Sequence, residues 1–129
     1  MSHGYEYAVV RAVPRQERGE FVNVGVIVYC APLDFLGART HVDEARVRAL
    51  DPFLDLDVLR ASLEHLDRSC GADRAAGPVV GTTRGQRFRW LTAPRSTVLQ
   101  TSPAHTGFTA DPAGELERLL VALVLPPGR

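Results

Sequence analysis

Residues 21–30, FVNVGVIVYC, constrain the fold more than any other stretch of the chain. Apart from Asn23, the run is apolar on both of its alternating faces, the pattern of a strand inside a sheet rather than at its edge. Residues 5–13, YEYAVVRAV, are rich in the β-branched and aromatic side chains that suit a pleated surface. The polar segment 14–20, PRQERGE, separates the two runs, so they are expected to pair antiparallel as a central N-terminal hairpin. Gly25 within the second run signals a bulge or a close backbone approach.

The rest of the chain supplies an edge and a cover. Residues 36–42 alternate Leu36, Ala38, Thr40, Val42 against Gly37, Arg39 and His41, as a half-exposed third strand does. Asp43 is placed to cap a short helix over 44–50, which Pro52 ends. A longer helix is expected over about 55–69, where Leu56, Leu59, Leu63 and Leu66 recur at intervals of three, four and three. Residues 71–85 read as a loop, 86–91 are ambiguous between strand and helix, and 97–100 read as a short strand. Either Phe88 or Trp90, or both, belong in the core. The last helix is the clearest: Asp111 at N-cap, Pro112 at N1, Leu116, Leu119, Leu120 and Leu123 on one stripe, then Pro126 and Pro127. Strands first and helices later predict an α+β, two-layer single domain over 1–129, an antiparallel sheet on the N-terminal hairpin with helices packed on one face.

Several function classes are disfavoured at once. The 15 basic residues, all Arg, balance 15 acidic ones, so the chain lacks the basic excess of most nucleic-acid-binding domains. Only Arg84, Arg87, Arg89 and Arg95 cluster without an intervening acid, and with Trp90 they leave single-stranded nucleic acid as the weakest reading. The absence of Lys removes Schiff-base chemistry and phosphate-loop lysines. His3, His41, His65 and His105 are scattered, and neither Cys30 nor Cys70 belongs to a CxxC pair, so no metal and no cofactor are expected. The start, MSHGYEYAVV, has no basic n-region followed by a long apolar run, and no run approaches bilayer length; a cytoplasmic protein without a membrane contact is expected.

Two segments are polar where folding alone does not ask for it. In the first, Arg18, Glu20 and Asn23 flank the start of the second strand, and a buried amide such as Asn23 must find partners, whether backbone or ligand. The second, 93–112, gathers Arg95, Ser96, Ser102, His105, Thr106 and Asp111 without amphipathic spacing. Arg95 with Ser96 offers a planar donor fork and a hydroxyl suited to an oxyanion. His105 supplies an imidazole and Glu20 a carboxylate, the pair a small enzyme would use as acid and base. Asp111 already has a sufficient task as a cap. A Ser102–His105–Asp111 triad is disfavoured, since no GxSxG elbow is present.

The Tyr-x-Tyr strand, the RGEFVNVGV run (18–26) and the FRWLTAPRSTVLQTSPAHTGFTADP stretch (88–112) resemble a bacterial family of unknown function, domain-of-unknown-function 3037. The resemblance spans nearly the whole chain. It implies small cytoplasmic proteins, sometimes encoded beside a HipA-like kinase, and it assigns no catalytic residues. The expected function is therefore a binding or accessory module, with that kinase as a candidate partner and the RGEFVN or PRS/SPAHTG segment as contact. The alternative is a small enzyme acting on an anionic or phosphorylated substrate, with Arg95, Ser96, His105 and Glu20 on one shared surface.

Overall fold

A computed structural model describes residues 1–71, 83–95 and 97–128. The chain runs β1 (His3–Ala12), β2 (Val22–Cys30), β3 (Phe35–Thr40), α1 (Glu44–Leu50), α2 (Leu56–Cys70), α3 (Arg84–Leu91), β4 (Leu99–Thr101), β5 (His105–Thr109) and α4 (Pro112–Leu123). It is an α+β domain whose five-stranded antiparallel sheet is built on the N-terminal hairpin. β1 is central: β2 lies along one side, followed by β3, while β4 and β5 share its other side, β5 against His3–Tyr7 and β4 against Val10–Ala12.

Helices cover both faces of the sheet, which corrects the expected single covered face and the two-layer architecture. On β3, Leu36 and Ala38 join a core with Val47 of α1, Leu59 and Leu63 of α2 and Phe88 of α3. The alternate positions turn the other way, Phe35 toward Leu116, Leu119 and Leu120 of α4 and Gly37 under the Leu116 side chain. Because successive strand residues face opposite sides, α1–α3 and α4 lie on opposite faces. The doubly apolar β2 requires this: Ile27 enters the first core, Val26, Val28 and Cys30 the second, and all four are 0% exposed.

A bulge makes the same strand serve both layers. Pairing passes from Val10 opposite Gly25 to Arg11 opposite Asn23, leaving Val24 extra. The slip reverses the facing of the residues before it, so Asn23 turns to the α4 side and its Nδ2 donates to the Leu123 carbonyl at 3.0 Å. Gly25 also sits where a Cβ would meet the Arg39 carbonyl oxygen at 3.0 Å, so both signals carried by this glycine are realised.

The helix ends follow local chemistry. Asp43 accepts from Arg46 N–H, Asp55 from Asp57 and Val58 N–H, and Asp111 from Gly114 N–H. Asp111→Ala is expected to cost about 0.5–2 kcal/mol by uncapping α4, read as a lower urea midpoint with unchanged partner affinity. The ambiguous 86–91 stretch is helical, because Thr83 and Gln86 form a capping box ahead of it. That moves Arg84 and Gly85 from the expected loop into α3, while 72–82 of the same expected loop lie outside the described residues.

A polar cluster that runs from the buried Tyr5 to the exposed Arg118 clamps α4 onto β1. Tyr5 Oη donates to Glu115 Oε2 at 2.5 Å, and Arg118 donates to both Glu115 oxygens at 2.5 and 2.9 Å. The bonds from Arg118, then from Tyr5, hold the Glu115 carboxyl down at about 2 although burial opposes them. Burial and the bond to Glu115 push the Tyr5 phenol up to about 12. Since the folded value for Glu115 lies below its ordinary 4.5, this stabilisation is present above that pH and fades as pH falls toward 2. Comparison of wild type with Glu115→Gln by urea unfolding is expected to show a gap of about 1–2 kcal/mol at pH 7 that narrows as pH falls from about 5 to about 2.

Candidate functional site

A concavity of about 540 Å³ lies on the α1–α3 face, between α2, the end of α3 and β4. That size falls in the roughly 300–1,000 Å³ range of ligand pockets. Each wall follows from its local sequence. The Leu56, Leu59, Leu63 and Leu66 stripe of α2 faces the core, which turns the neighbouring stripe of Val58, Ser62 and His65 toward the groove. The fully buried Val10 of β1 contributes to the groove from the sheet.

The end wall is built by the chain leaving α3. Thr92 stops the helix, its hydroxyl donating to the Phe88 carbonyl at 2.8 Å. Arg95 then folds back and donates to the Leu91 carbonyl at 3.2 Å and to the Trp90 carbonyl. These bonds satisfy carbonyls that the helix end leaves open. They also lay the guanidinium over the Trp90 ring, 4.6 Å from its centroid, in a cation–π contact. Phe88 is the buried aromatic at 2% exposure, stacked on Tyr29, whereas Trp90 is 38% exposed at the groove.

The other expected site residues are distributed elsewhere. Glu20 and Arg18 pair with each other at 2.5 Å on the exposed loop, and the guanidinium holds the Glu20 carboxyl below its ordinary range. Glu20 is thereby a committed carboxylate rather than a group poised to exchange protons near neutrality. Ser102 is buried, its hydroxyl accepting from Val9 N–H at 2.9 Å and donating to the Pro103 carbonyl at 2.9 Å. His105 is exposed on β5, opposite Tyr7 and 5.2 Å from its ring, and Thr106 lies opposite Glu6. Ser96 lies outside the described residues.

The expected shared surface of Arg95, His105 and the 20–23 segment is corrected by the sheet. Arg95 shares the groove with Val10, while the His105 ring lies tilted against Tyr7, which packs against the α4 core. Val10 and Tyr7 are three residues apart on one strand, so the two side chains belong to opposite faces. Asn23 is on the α4 side but sits beside Arg11, four residues or about 13 Å along β1 from Tyr7, and across it from β5. The 93–112 segment is not one loop; it divides into the end of α3, β4, a turn, β5 and the cap of α4. Its polar residues answer to separate elements.

The basic cluster is likewise divided. Arg84 binds Asp34 at 3.0 and 3.1 Å, Arg87 is 1% exposed with Nη2 3.5 Å from the Cys70 carbonyl, and Arg89 donates to the Gly85 carbonyl at 3.2 Å. No group of three His, Cys, Asp or Glu among the described residues has metal-binding geometry.

Sequence reasoning passed over Val58 and His65 as groove residues. The available signal was Val58 itself, an apolar residue off the buried stripe of α2 and 55% exposed. Trp90 came into view only as a core or base-stacking residue. The sequence model of a family described as "Protein of unknown function (DUF3037)" matches residues 7–124 of the chain. No curated protein and no solved structure matches it.

Proposed function

Because the chain belongs to the DUF3037 family, whose description names no activity, we propose its role from its own surface: it is a binding or accessory module that receives its partner in the α2–α3–β4 groove. One observation carries this reading. The groove is mostly apolar along its floor and walls, it borders an exposed Trp90, and among the described residues the only Arg lining it, Arg95, makes no ion pair. Exposed Trp beside Arg is the composition of interface hot spots. The groups a small enzyme would need, Arg95, His105 and Glu20, do not converge, and this favours binding over the alternative of turnover on an anionic substrate.

The HipA-like kinase to which the family resemblance points is the first partner to test. We place the module in the cytoplasm; the support is that Cys30 and Cys70 are both free and buried, with burial pushing the Cys70 thiol up to about 12. No described helix is long and apolar enough to cross a membrane. Titration calorimetry of the purified kinase against wild type, Trp90→Ala and His105→Ala tests the proposal. Trp90→Ala is expected to weaken binding by about 2 kcal/mol, roughly thirtyfold, and His105→Ala to leave it unchanged. The reverse pattern moves the contact to the α4 face, and no binding by wild type removes the kinase as partner.

A further inference from the structure

We propose that the groove accepts an extended segment of the partner protein, which adds as a strand to the outer edge of β4 and sets a carboxylate at Arg95; this rests on the binding role argued above. The register of β4 supplies the first argument. Val10 pairs with Thr101, Arg11 with Gln100 and Ala12 with Leu99. Beyond the two ends of this ladder, Val13 N–H donates to the Val98 carbonyl at 2.7 Å and Ser102 N–H to the Val9 carbonyl at 2.8 Å. In an antiparallel pair, bonded and non-bonded positions alternate, so Val98, Gln100 and Ser102 bond inward to β1. The backbone groups of Leu99 and Thr101 therefore point off the outer edge, where no described strand pairs; the Leu99 carbonyl accepts there from the Thr97 hydroxyl at 2.6 Å, a local bond that an added strand would replace or share, while the two N–H groups face outward.

That edge opens into the groove. All five residues 97–101 line it, as a backbone edge does and a single strand face does not. Across from it, Val58, Ser62 and His65 lie within eight residues of α2, seven steps or about 10 Å at the helical rise. Three residues of extended chain cover the same length, which is the length of β4. An unpaired edge beside a helix wall is the arrangement in which main-chain bonds provide affinity and side-chain pockets provide selectivity.

Charge fixes the remaining requirement. None of the described residues lining the groove is acidic, and it holds the Arg95 guanidinium, which has five N–H donors and uses two on the carbonyls of Trp90 and Leu91. A planar donor fork at the end of an apolar channel suits a carboxylate, supplied by the segment's C-terminus or by an Asp or Glu side chain. The occupant is thus a short extended peptide with apolar side chains toward α2 and one carboxylate at the Arg95 end.

The test starts by panning the full chain against displayed random decapeptides with free C-termini. An enriched apolar peptide with a carboxylate is expected to shift the emission of Trp90, the chain's single tryptophan. Amide exchange at Leu99 and Thr101 is expected to slow at least tenfold on binding, while Gln100, already bonded to β1, changes little. Val58→Glu, at an exposed helix position, is expected to weaken the peptide at least tenfold. C-terminal amidation and Asp or Glu to amide replacement in the peptide identify which carboxylate Arg95 reads. Absence of enrichment, binding without protection at Leu99 and Thr101, or binding indifferent to both carboxylate changes overturns the proposal. If the peptide fails here while kinase binding remains sensitive to Trp90→Ala, the groove reading stands and the strand-addition inference alone falls.

Discussion

Phe88→Ala is expected to destabilise the domain by about 3–5 kcal/mol, read as a lower urea midpoint at unchanged slope. The side chain is 2% exposed and stacks on Tyr29 at 5.5 Å between ring centroids, within the core that joins α1, α2 and α3 to the sheet. Removing the ring loses its transfer energy and leaves a cavity between a helix and a strand, neither of which closes it freely. Against the total of about 5–15 kcal/mol that holds a domain folded, that loss is a large fraction. A cost under about 1 kcal/mol would mean that α3 does not pack as described. The contrast with Trp90→Ala, which removes a ring 38% exposed, follows from the same helix face geometry.

Leu119→Ala is expected to cost about 2–5 kcal/mol through the other core. Leu119 is 4% exposed and belongs with Val26, Val28, Cys30, Leu116 and Leu120, the layer between α4 and the sheet. Because the two cores lie on opposite faces, the two substitutions share no cavity. Their effects are expected to add within about 0.5 kcal/mol in the double variant, measured in Phe88→Ala repaired to a stabilising background if needed. Marked non-additivity would show that the sheet transmits strain between its faces, against two independently packed layers.

The strands and caps were legible because local rules decide them. Doubly apolar β2, the capping aspartates at 43 and 111 and the leucine stripe of α2 specify their elements wherever the chain lies in space. The same β2 pattern also held the evidence for cover on both faces, since a strand apolar on both sides must be buried on both; the expectation of helices on one face did not follow that through. β5 was not legible, because HTGFT is polar and mostly exposed, and only its pairing with β1 makes it a strand.

For the candidate site, the sequence by itself determined that Asp111 is a cap, since that depends on neighbours within a few residues, whereas the place of Arg95 over Trp90 followed only once the ambiguous 86–91 stretch proved helical. Only the tertiary structure decided that His105 and Arg95 face opposite ways. That outcome depends on β4 and β5 both pairing with β1, at positions three or more residues apart, and side-chain facing alternates with each step. The same holds for the groove: Val58, Trp90 and the edge of β4 are separated by up to 43 residues in the chain. They meet because the α2 leucines and Phe88 share one core, a long-range packing choice that no local spacing encodes.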